Sequence, residues 1–218
     1  MGEEKELYTQ AGWGPVIWIE AQPSLAKALE ERFAPVGDQV ICATVWNENG
    51  IRLTLNISSN SGSSSLLEFG SHKISYPQIS YTDSIEVETS RLDSILSTTG
   101  TPNFMNLDIQ GVELQALESL GNLLSRLDYI YVEINTKEVY KGCTKLSDLD
   151  EFLSKKGFKR ILTRRYIRHG WGEALFIRKT RKSKNLITIL PRAKNAMQFY
   201  SHQLRNLMRH IMKGTLNV

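Results

Sequence analysis

Cysteine is scarce in this 218-residue chain: only Cys42 and Cys143 occur, and they form no CxxC or zinc-type spacing. The scarcity argues against a disulfide framework or a zinc site and indicates reduced thiols. No apolar run approaches the roughly 18–20 residues that a membrane helix needs. The start, Met-Gly-Glu-Glu-Lys-Glu, is too acidic for a signal peptide. We therefore expect a cytoplasmic protein without a resident metal.

Three common catalytic motifs are also absent. The sequence contains no HExxH, no GxSxG and no Walker loop. These motifs respectively hold a catalytic zinc ion, present a nucleophilic serine and cradle a nucleotide phosphate. Zinc hydrolases, serine hydrolases and nucleotide triphosphatases of the usual types therefore have no support.

Acidic residues are missing from the last part of the chain. Glu173 is the last of them, and ten Lys and Arg residues follow it, which leaves 17 basic and 23 acidic residues before that point. The overall charge of +4 therefore combines a body of −6 with a tail of +10. The pI near 9.0 describes the tail, so it is poor support for a nucleic-acid enzyme.

Residues 194–213 of this tail have the pattern of an amphipathic basic helix. One stripe is apolar, and its members are Met197, Tyr200, Leu204, Leu207, Met208 and Ile211. Such a helix packs on the acidic body, sits at an anionic membrane surface or docks on an acidic partner. Nucleic acid is the least favoured partner, because no aromatic-basic platform accompanies the charges.

Strands alternate with helices along the rest of the chain, which predicts an α/β fold with a largely parallel sheet. A turn at residues 47–50 predicts a hairpin into a strand at residues 51–57. The region of residues 158–178 predicts a closing antiparallel pair. We expect one domain over residues 1–180 and a separate tail over residues 181–218. The predicted strands lie at residues 16–20, 39–46, 51–57, 84–89, 104–107, 129–135, 158–167 and 173–178.

Three of these strands end in an acid: Glu20, Asp108 and Glu133. Ligands bind at the carboxyl ends of parallel strands, and an acid after the second strand of a nucleotide-binding unit usually holds ribose hydroxyls. Asp108 also opens an Asp-x-x-Gly-x-Glu motif that ends at Glu113. Caps and solvated turns explain single acids of this kind, but three on successive elements indicate an enzyme site.

The run from Asn106 to Leu117 (NLDIQGVELQAL) resembles the signature of the FkbM family of S-adenosylmethionine-dependent methyltransferases. The acid-ended strand at Glu133 fits the next element of that family. Four further segments resemble family segments in the same order, so that the resemblance covers roughly residues 2–178. These segments are Trp18–Pro23, Asn60–Ser65, Leu149–Phe158 and Trp171–Phe176.

The resemblance implies a class I, Rossmann-like methyltransferase fold and methyl transfer from S-adenosylmethionine to a hydroxyl of a sugar or related molecule. It implies catalytic roles for Asp108, Glu113 and Glu133, with Asp108 as base or as anchor for the methionine end of the cofactor. Glu113 is also explained as an acid favoured by the helix dipole. For cofactor binding it implies Glu20 at the ribose and Ala43 near the adenine. His169 lines the acceptor pocket or is a simple turn histidine.

The family's first strand and Gly-rich turn have no counterpart before residue 2, and Gly2 would be the last glycine of that turn. Either the natural protein is longer, or another segment such as Leu186–Leu190 replaces the missing central strand. Two other readings stay open. One is a noncatalytic methyltransferase-fold protein that binds a partner in glycan assembly, and the other is a nicotinamide enzyme.

Overall fold

The computed structural model describes Gly2 and residues 4–10, 12–96 and 102–179. These residues form two compact units, residues 2–43 and residues 44–179. The basic tail and the segment Leu186–Leu190 lie outside the described residues, so the predicted division at residue 180 stays a prediction. Within the described ranges, no helix is both long enough and apolar enough to cross a membrane.

The first unit is a small βαβ arrangement. Its two strands are parallel, with Ile17 beside Gln39 and Glu20 beside Cys42. The carboxylate of the buried Asp38 ties this unit together, because it accepts hydrogen bonds from Lys5 Nζ (2.6 Å), Val16 N (3.0 Å) and Trp18 Nε1 (3.0 Å). The elements are α1 (Glu4–Gln10), β1 (Ile17–Glu20), α2 (Pro23–Phe33), a 3₁₀ turn (Ala34–Val36) and β2 (Gln39–Cys42).

The second unit contains the remaining elements. In chain order its strands are β3 (Thr44–Val45), β4 (Arg52–Ser58), β5 (Tyr81–Ser90), β6 (Phe104–Leu107), β7 (Tyr129–Asn135), β8 (Phe158–Tyr166) and β9 (Trp171–Arg178). Its helices are α3 (His72–Ser75), α4 (Leu92–Ile95), α5 (Glu113–Ser119) and α6 (Leu146–Lys155), with 3₁₀ turns at Ser61–Ser63 and Gly121–Arg126.

The strands of the second unit form two sheets. One has the order β3-β5-β4, with β3 parallel to β5 and β4 antiparallel to it. The other has the order β6-β7-β9-β8, in which β6 and β7 are parallel and the closing pairs are antiparallel. The prediction of an α/β fold that combines parallel pairs with closing antiparallel strands is confirmed. The predicted hairpin at residues 47–50 is wrong, because β5 lies between β3 and β4.

Strand β7 divides apolar from polar side chains. Ile130, Val132 and Ile134 are fully buried on one face, as the alternation of a strand requires. The opposite face carries Tyr131 and Glu133, followed by Asn135 at the carboxyl end. One face of the four-stranded sheet therefore supplies the core, and the other holds polar side chains near the carboxyl ends of β6 and β7.

Candidate active site

The Asp-x-x-Gly-x-Glu motif forms the sharp turn between β6 and α5. Gly111 has φ of +113°, and a Cβ there would lie 3.0 Å from both Cys143 Cβ and Leu67 Cδ1. A larger residue would therefore strain the backbone and crowd its neighbours. Gln110 also has a positive φ, of +56°, which is uncommon outside glycine and asparagine. The motif thus folds the chain back tightly directly after Asp108.

Glu113 locks this turn from inside the protein. Its side chain is fully buried, and its Oε1 accepts a hydrogen bond from Gly111 N at 2.9 Å. The pKa of Glu113 is raised to about 7, chiefly by burial and also by the charge of Asp108, while backbone donors at the turn oppose the shift. With no surface exposed, Glu113 is better suited to positioning the turn than to the predicted catalytic contact with substrate.

Asp108 and Glu133 lie side by side, joined by the side-chain amide of Gln110. Their proximity follows from the parallel register, in which Leu107 of β6 pairs with Val132 of β7. Gln110 Nε2 donates to Asp108 Oδ1 and, at 3.2 Å, to Glu133 Oε2. Burial raises the pKa of Glu133 well above its ordinary value, with the charges of Asp108 and Glu113 as further causes.

Tyr140 fixes the orientation of that bridging amide. Its hydroxyl donates to Gln110 Oε1 at 2.5 Å, so the amide oxygen points to the phenol and the NH₂ group points to the two carboxylates. The Tyr140 side chain is itself almost completely buried. The donors of Gln110 therefore lie where they offset the repulsion between two adjacent acids.

A line of charged groups crosses the four-stranded sheet at this level. Glu133 of β7 is directly opposite Glu173 of β9, which is opposite Arg164 of β8. Together with Asp108 these residues form what we call the charged row: Asp108, Glu133, Glu173 and Arg164. Burial raises the pKa of Glu173, against a hydrogen bond with Tyr131 and the charge of Arg164. The row therefore holds three carboxyl groups and a single guanidinium.

The Ser-rich segment packs directly against the motif turn. Ser65 is almost fully buried, and its Oγ donates to Gln110 O at 2.7 Å while it accepts from Leu67 N at 3.0 Å. The resemblance to the family's Ser-rich loop predicts a loop here but not this contact. Ser65 helps to hold Gln110 in its left-handed conformation.

We expect Ser65→Ala to lower the free energy of unfolding by about 1–2 kcal/mol, because it leaves two backbone groups without their partner. Urea unfolding followed by circular dichroism measures the change. Ser61→Ala is the matched control, since Ser61 is exposed in the same segment. Equal stability of the two variants would contradict the assigned role of the hydroxyl.

The predicted cofactor residues Gly2, Glu20 and Ala43 all lie in the first unit. Glu20 ends β1, and Ala43 directly follows β2, with Ala43 N donating to Glu20 O at 3.0 Å. Burial raises the pKa of Glu20, although Gln22 N donates to its Oε1 at 2.8 Å. Gly2 lies against the Phe33 ring of α2, and its cofactor role stays a prediction. Glu20 and Ala43 thus meet at the carboxyl edge of a parallel pair, and their cofactor roles stay predictions.

Sequence reasoning did not single out Gln110, Tyr140, Glu173 or Arg164. Gln110 lies inside the Asp-x-x-Gly-x-Glu motif, but the motif does not show that its side-chain amide bridges two carboxyl groups. Glu173 and Arg164 join the charged row only through strand register, which periodicity does not reveal. In the part of the chain that the structure describes, no group of three or more His, Cys, Asp or Glu side chains is placed to hold a metal ion.

Comparisons with known proteins found two similar proteins. The 2-O-methyltransferase NoeI of Sinorhizobium fredii (strain NBRC 101917 / NGR234) is 24% identical over 133 residues. That match covers 57% of this chain and 55% of NoeI, so the chain spans about half of its relative. A solved protein of the NADB-Rossmann superfamily from Streptococcus agalactiae aligns over 96% of this chain and 93% of its own, at 11% identity and a TM-score of 0.35.

A family model gives the broader match. The model described as "Methyltransferase FkbM domain" matches residues 3–160, which is well over half of the chain. That span includes the motif turn, the Ser-rich segment and strand β7, which carries Glu133. The predicted methyltransferase fold of the Rossmann-like class is thereby confirmed, and the chain belongs to the FkbM methyltransferase family.

Proposed function

We propose that this chain is an S-adenosylmethionine-dependent O-methyltransferase that methylates a hydroxyl of a sugar, or of a related small molecule or glycan. Membership of the FkbM family supports methyl transfer in general. The similarity to a protein named as a 2-O-methyltransferase supports oxygen as the acceptor atom. The cofactor and the acceptor class go beyond those findings and are the substance of the proposal.

One observation carries it: the pair of Asp108 and Glu133 that Gln110 bridges. A hydroxyl that takes up a methyl group must lose its proton, and a carboxylate next to the acceptor is a suitable base. Two adjacent carboxyl groups resist double ionisation, and desolvation raises the pKa of the half-buried Glu133. Glu133 therefore tends to keep the proton, while the exposed Asp108 offers a carboxylate to the acceptor.

The charge around this pair suits the cofactor. S-adenosylmethionine, when bound, supplies an electrophilic methyl group on a positively charged sulfur and also carries an ammonium group. The charged row is rich in carboxyl groups, and Arg164 at its far end is the one cation among its four members.

Calorimetric titration of S-adenosylmethionine tests the cofactor, and transfer of a labelled methyl group to methyl glycosides tests the reaction. We expect binding that S-adenosylhomocysteine competes away. If neither this chain nor a version extended upstream of residue 1 gives heat, the enzyme proposal fails. In that case the noncatalytic alternative, a binding partner in glycan assembly, would take its place.

The bridging amide gives a prediction about pH. Gln110→Ala removes the N–H donors that stabilise the ionised forms of Asp108 and Glu133, so the pKa values of the pair should rise. We expect the acidic limb of the kcat/KM profile to move upward by about one pH unit. Gln115→Ala on α5 serves as the control. An unchanged acidic limb in the Gln110 variant would contradict the bridge.

For the basic tail we propose a role in attachment and none in catalysis. Its predicted amphipathic helix, residues 194–213, would attach the protein to an anionic membrane surface or an acidic partner. Sedimentation with phosphatidylserine vesicles against phosphatidylcholine vesicles measures the first of these contacts. We expect salt-sensitive binding to the anionic vesicles only.

A further inference from the structure

Next to the charged row lies a group of buried polar atoms without hydrogen-bond partners. Asn135, at the end of β7, is 1% exposed, and neither its Nδ2 nor its Oδ1 has a partner. Three further buried atoms also have no hydrogen-bond partner: Arg164 Nη1, Tyr166 Oη and His169 Nδ1. Buried polar groups are nearly always paired, so each of these atoms needs an explanation. One explanation is a ligand that forms hydrogen bonds with these atoms.

Strand register places these groups together. Asn135 pairs with Trp171 across β7 and β9, and Trp171 pairs with Tyr166 across β9 and β8. Asn135 follows Glu133 by two residues and Tyr166 follows Arg164 by two, while Trp171 precedes Glu173 by two. Each therefore lies on the same face of the sheet as its counterpart in the charged row. We call Asn135, Trp171 and Tyr166 the outer row. It runs beside the charged row at the edge where Asp108 follows β6.

Aromatic rings frame the outer row. The rings of Tyr166 and Trp171 lie 4.2 Å apart, and the Arg164 guanidinium is 5.0 Å above the Tyr166 ring. Trp171 Nε1 donates to Tyr76 Oη at 3.3 Å, and Tyr76 stacks on His169 at 5.1 Å. Neighbouring strands are roughly 4.8 Å apart, so the distance from β7 to β8 is roughly 10 Å. Strand β9, which carries Trp171, lies between them, so Asn135 and Tyr166 stand at the two ends of the outer row.

The chemistry of the two rows selects one kind of ligand. Arg164 Nη1 and Asn135 Nδ2 are donors, Asn135 Oδ1 is an acceptor, and Tyr166 Oη is both. Sugar hydroxyls both donate and accept, and the C–H faces of sugar rings pack on aromatic rings. An apolar alcohol would leave the polar atoms unpaired, and an anionic group would meet the carboxyl groups of Glu133 and Glu173. The arrangement therefore fits an uncharged polyol.

We propose that the outer row and Arg164 form the acceptor subsite, which binds an uncharged sugar ring with neighbouring hydroxyls and presents one of them to the Asp108–Glu133 pair. This inference rests on the proposed function, because it names the acceptor of the same site. It assigns Asn135 and Tyr166 to acceptor binding and Arg164 to the far side of the ring.

Saturation-transfer NMR tests the subsite without needing activity. The probes are the methyl glycosides of glucose, galactose and fucose, the methyl glycoside of glucuronic acid, and cyclohexanol. We expect at least one neutral glycoside to bind more tightly than the acidic one or the alcohol. Its affinity should fall about tenfold in Asn135→Leu and about fivefold in Tyr166→Phe. Asn122→Leu, at an exposed position, should leave it unchanged.

Thermal unfolding adds a readout that separates binding from a structural role. Asn135→Leu replaces an unpaired amide with an apolar side chain of similar size, so we expect its Tm to equal or exceed that of the parent chain. A clear drop in Tm would mean that Asn135 is a structural residue and would overturn its assignment. So would unchanged glycoside affinity in Tyr166→Phe, a variant that removes only one oxygen.

The proposed function and the subsite can fail separately. Glycoside binding that depends on Asn135, in a chain that never binds S-adenosylmethionine, would support the subsite and remove the methyltransferase proposal. Methyl transfer to an acidic or apolar acceptor that Asn135→Leu does not affect would support the methyltransferase proposal and overturn the subsite. Absence of binding by every neutral glycoside, while methyl transfer to another class is seen, overturns the subsite.

Discussion

Asp108→Asn is expected to lower kcat for methyl transfer by roughly 10²–10⁴-fold, the range that general-base catalysis commonly supplies. The asparagine can still accept the hydrogen bond from Gln110 Nε2, so the bridge to Glu133 is retained. Only the negative charge and the ability to take a proton are lost. The rate of labelled methyl transfer at saturating cofactor measures the effect.

The same variant should fold at least as stably as the parent chain at neutral pH. The charge of Asp108 raises the pKa of both Glu113 and Glu133, so its removal relieves repulsion on both of these acids. Asp83→Asn, on the exposed part of β5, is the control for the loss of one charge. Full activity in the Asp108 variant, or activity lost together with folding, would contradict a role as base.

The sequence predicts the local elements of this fold better than their pairing. Strand β7 lies at the predicted residues 129–135, and the closing pair β8 and β9 is antiparallel as predicted. Strands β7 and β9 are rich in apolar residues, and the turn at His169–Gly170 marks where β8 gives way to β9. The hairpin at residues 47–50 is wrong because a turn pattern cannot show that a strand from residues 81–90 enters between its two arms.

In the candidate site, too, the sequence predicts features that follow from local elements better than contacts that depend on tertiary packing. Asp108 and Glu133 were predicted together, because parallel neighbours bring their carboxyl ends to one edge. The contributions of Tyr140 and Ser65 come from loops, and that of Glu173 comes from an antiparallel register. Contacts of this kind are decided by tertiary packing, which no short sequence pattern records. The orphan amide of Asn135 is likewise visible only once its surroundings are known.

Glu113→Gln should remove a large part of the pH dependence of stability. The pKa of the folded chain at Glu113 is about 7, against an ordinary value of 4.5. Between these values the folded state binds more protons than the unfolded state, so stability falls as pH rises from about 4.5 to 7. A shift of this size corresponds to about 3 kcal/mol. Glutamine is uncharged at every pH, so the variant does not have the free-energy cost of ionising a buried carboxyl group.

Urea unfolding at pH 5 and pH 8 measures this effect. We expect Glu113→Gln to gain up to about 3 kcal/mol over the parent chain at pH 8 and much less at pH 5. Glu86→Gln, at an exposed position on β5, is the matched control and should follow the parent chain at both values. If the Glu113 variant lost stability at pH 8, the folded state would have to favour the ionised carboxylate of Glu113, which would contradict this prediction.

Activity of the same variant separates positioning from catalysis. Glutamine keeps an oxygen that can accept the hydrogen bond from Gly111 N, which holds the turn between β6 and α5. If Glu113 acts only through that turn, kcat should stay within a fewfold of the parent value. A loss as large as that of Asp108→Asn would instead show that the Glu113 carboxylate takes part in proton transfer, as the sequence motif predicts.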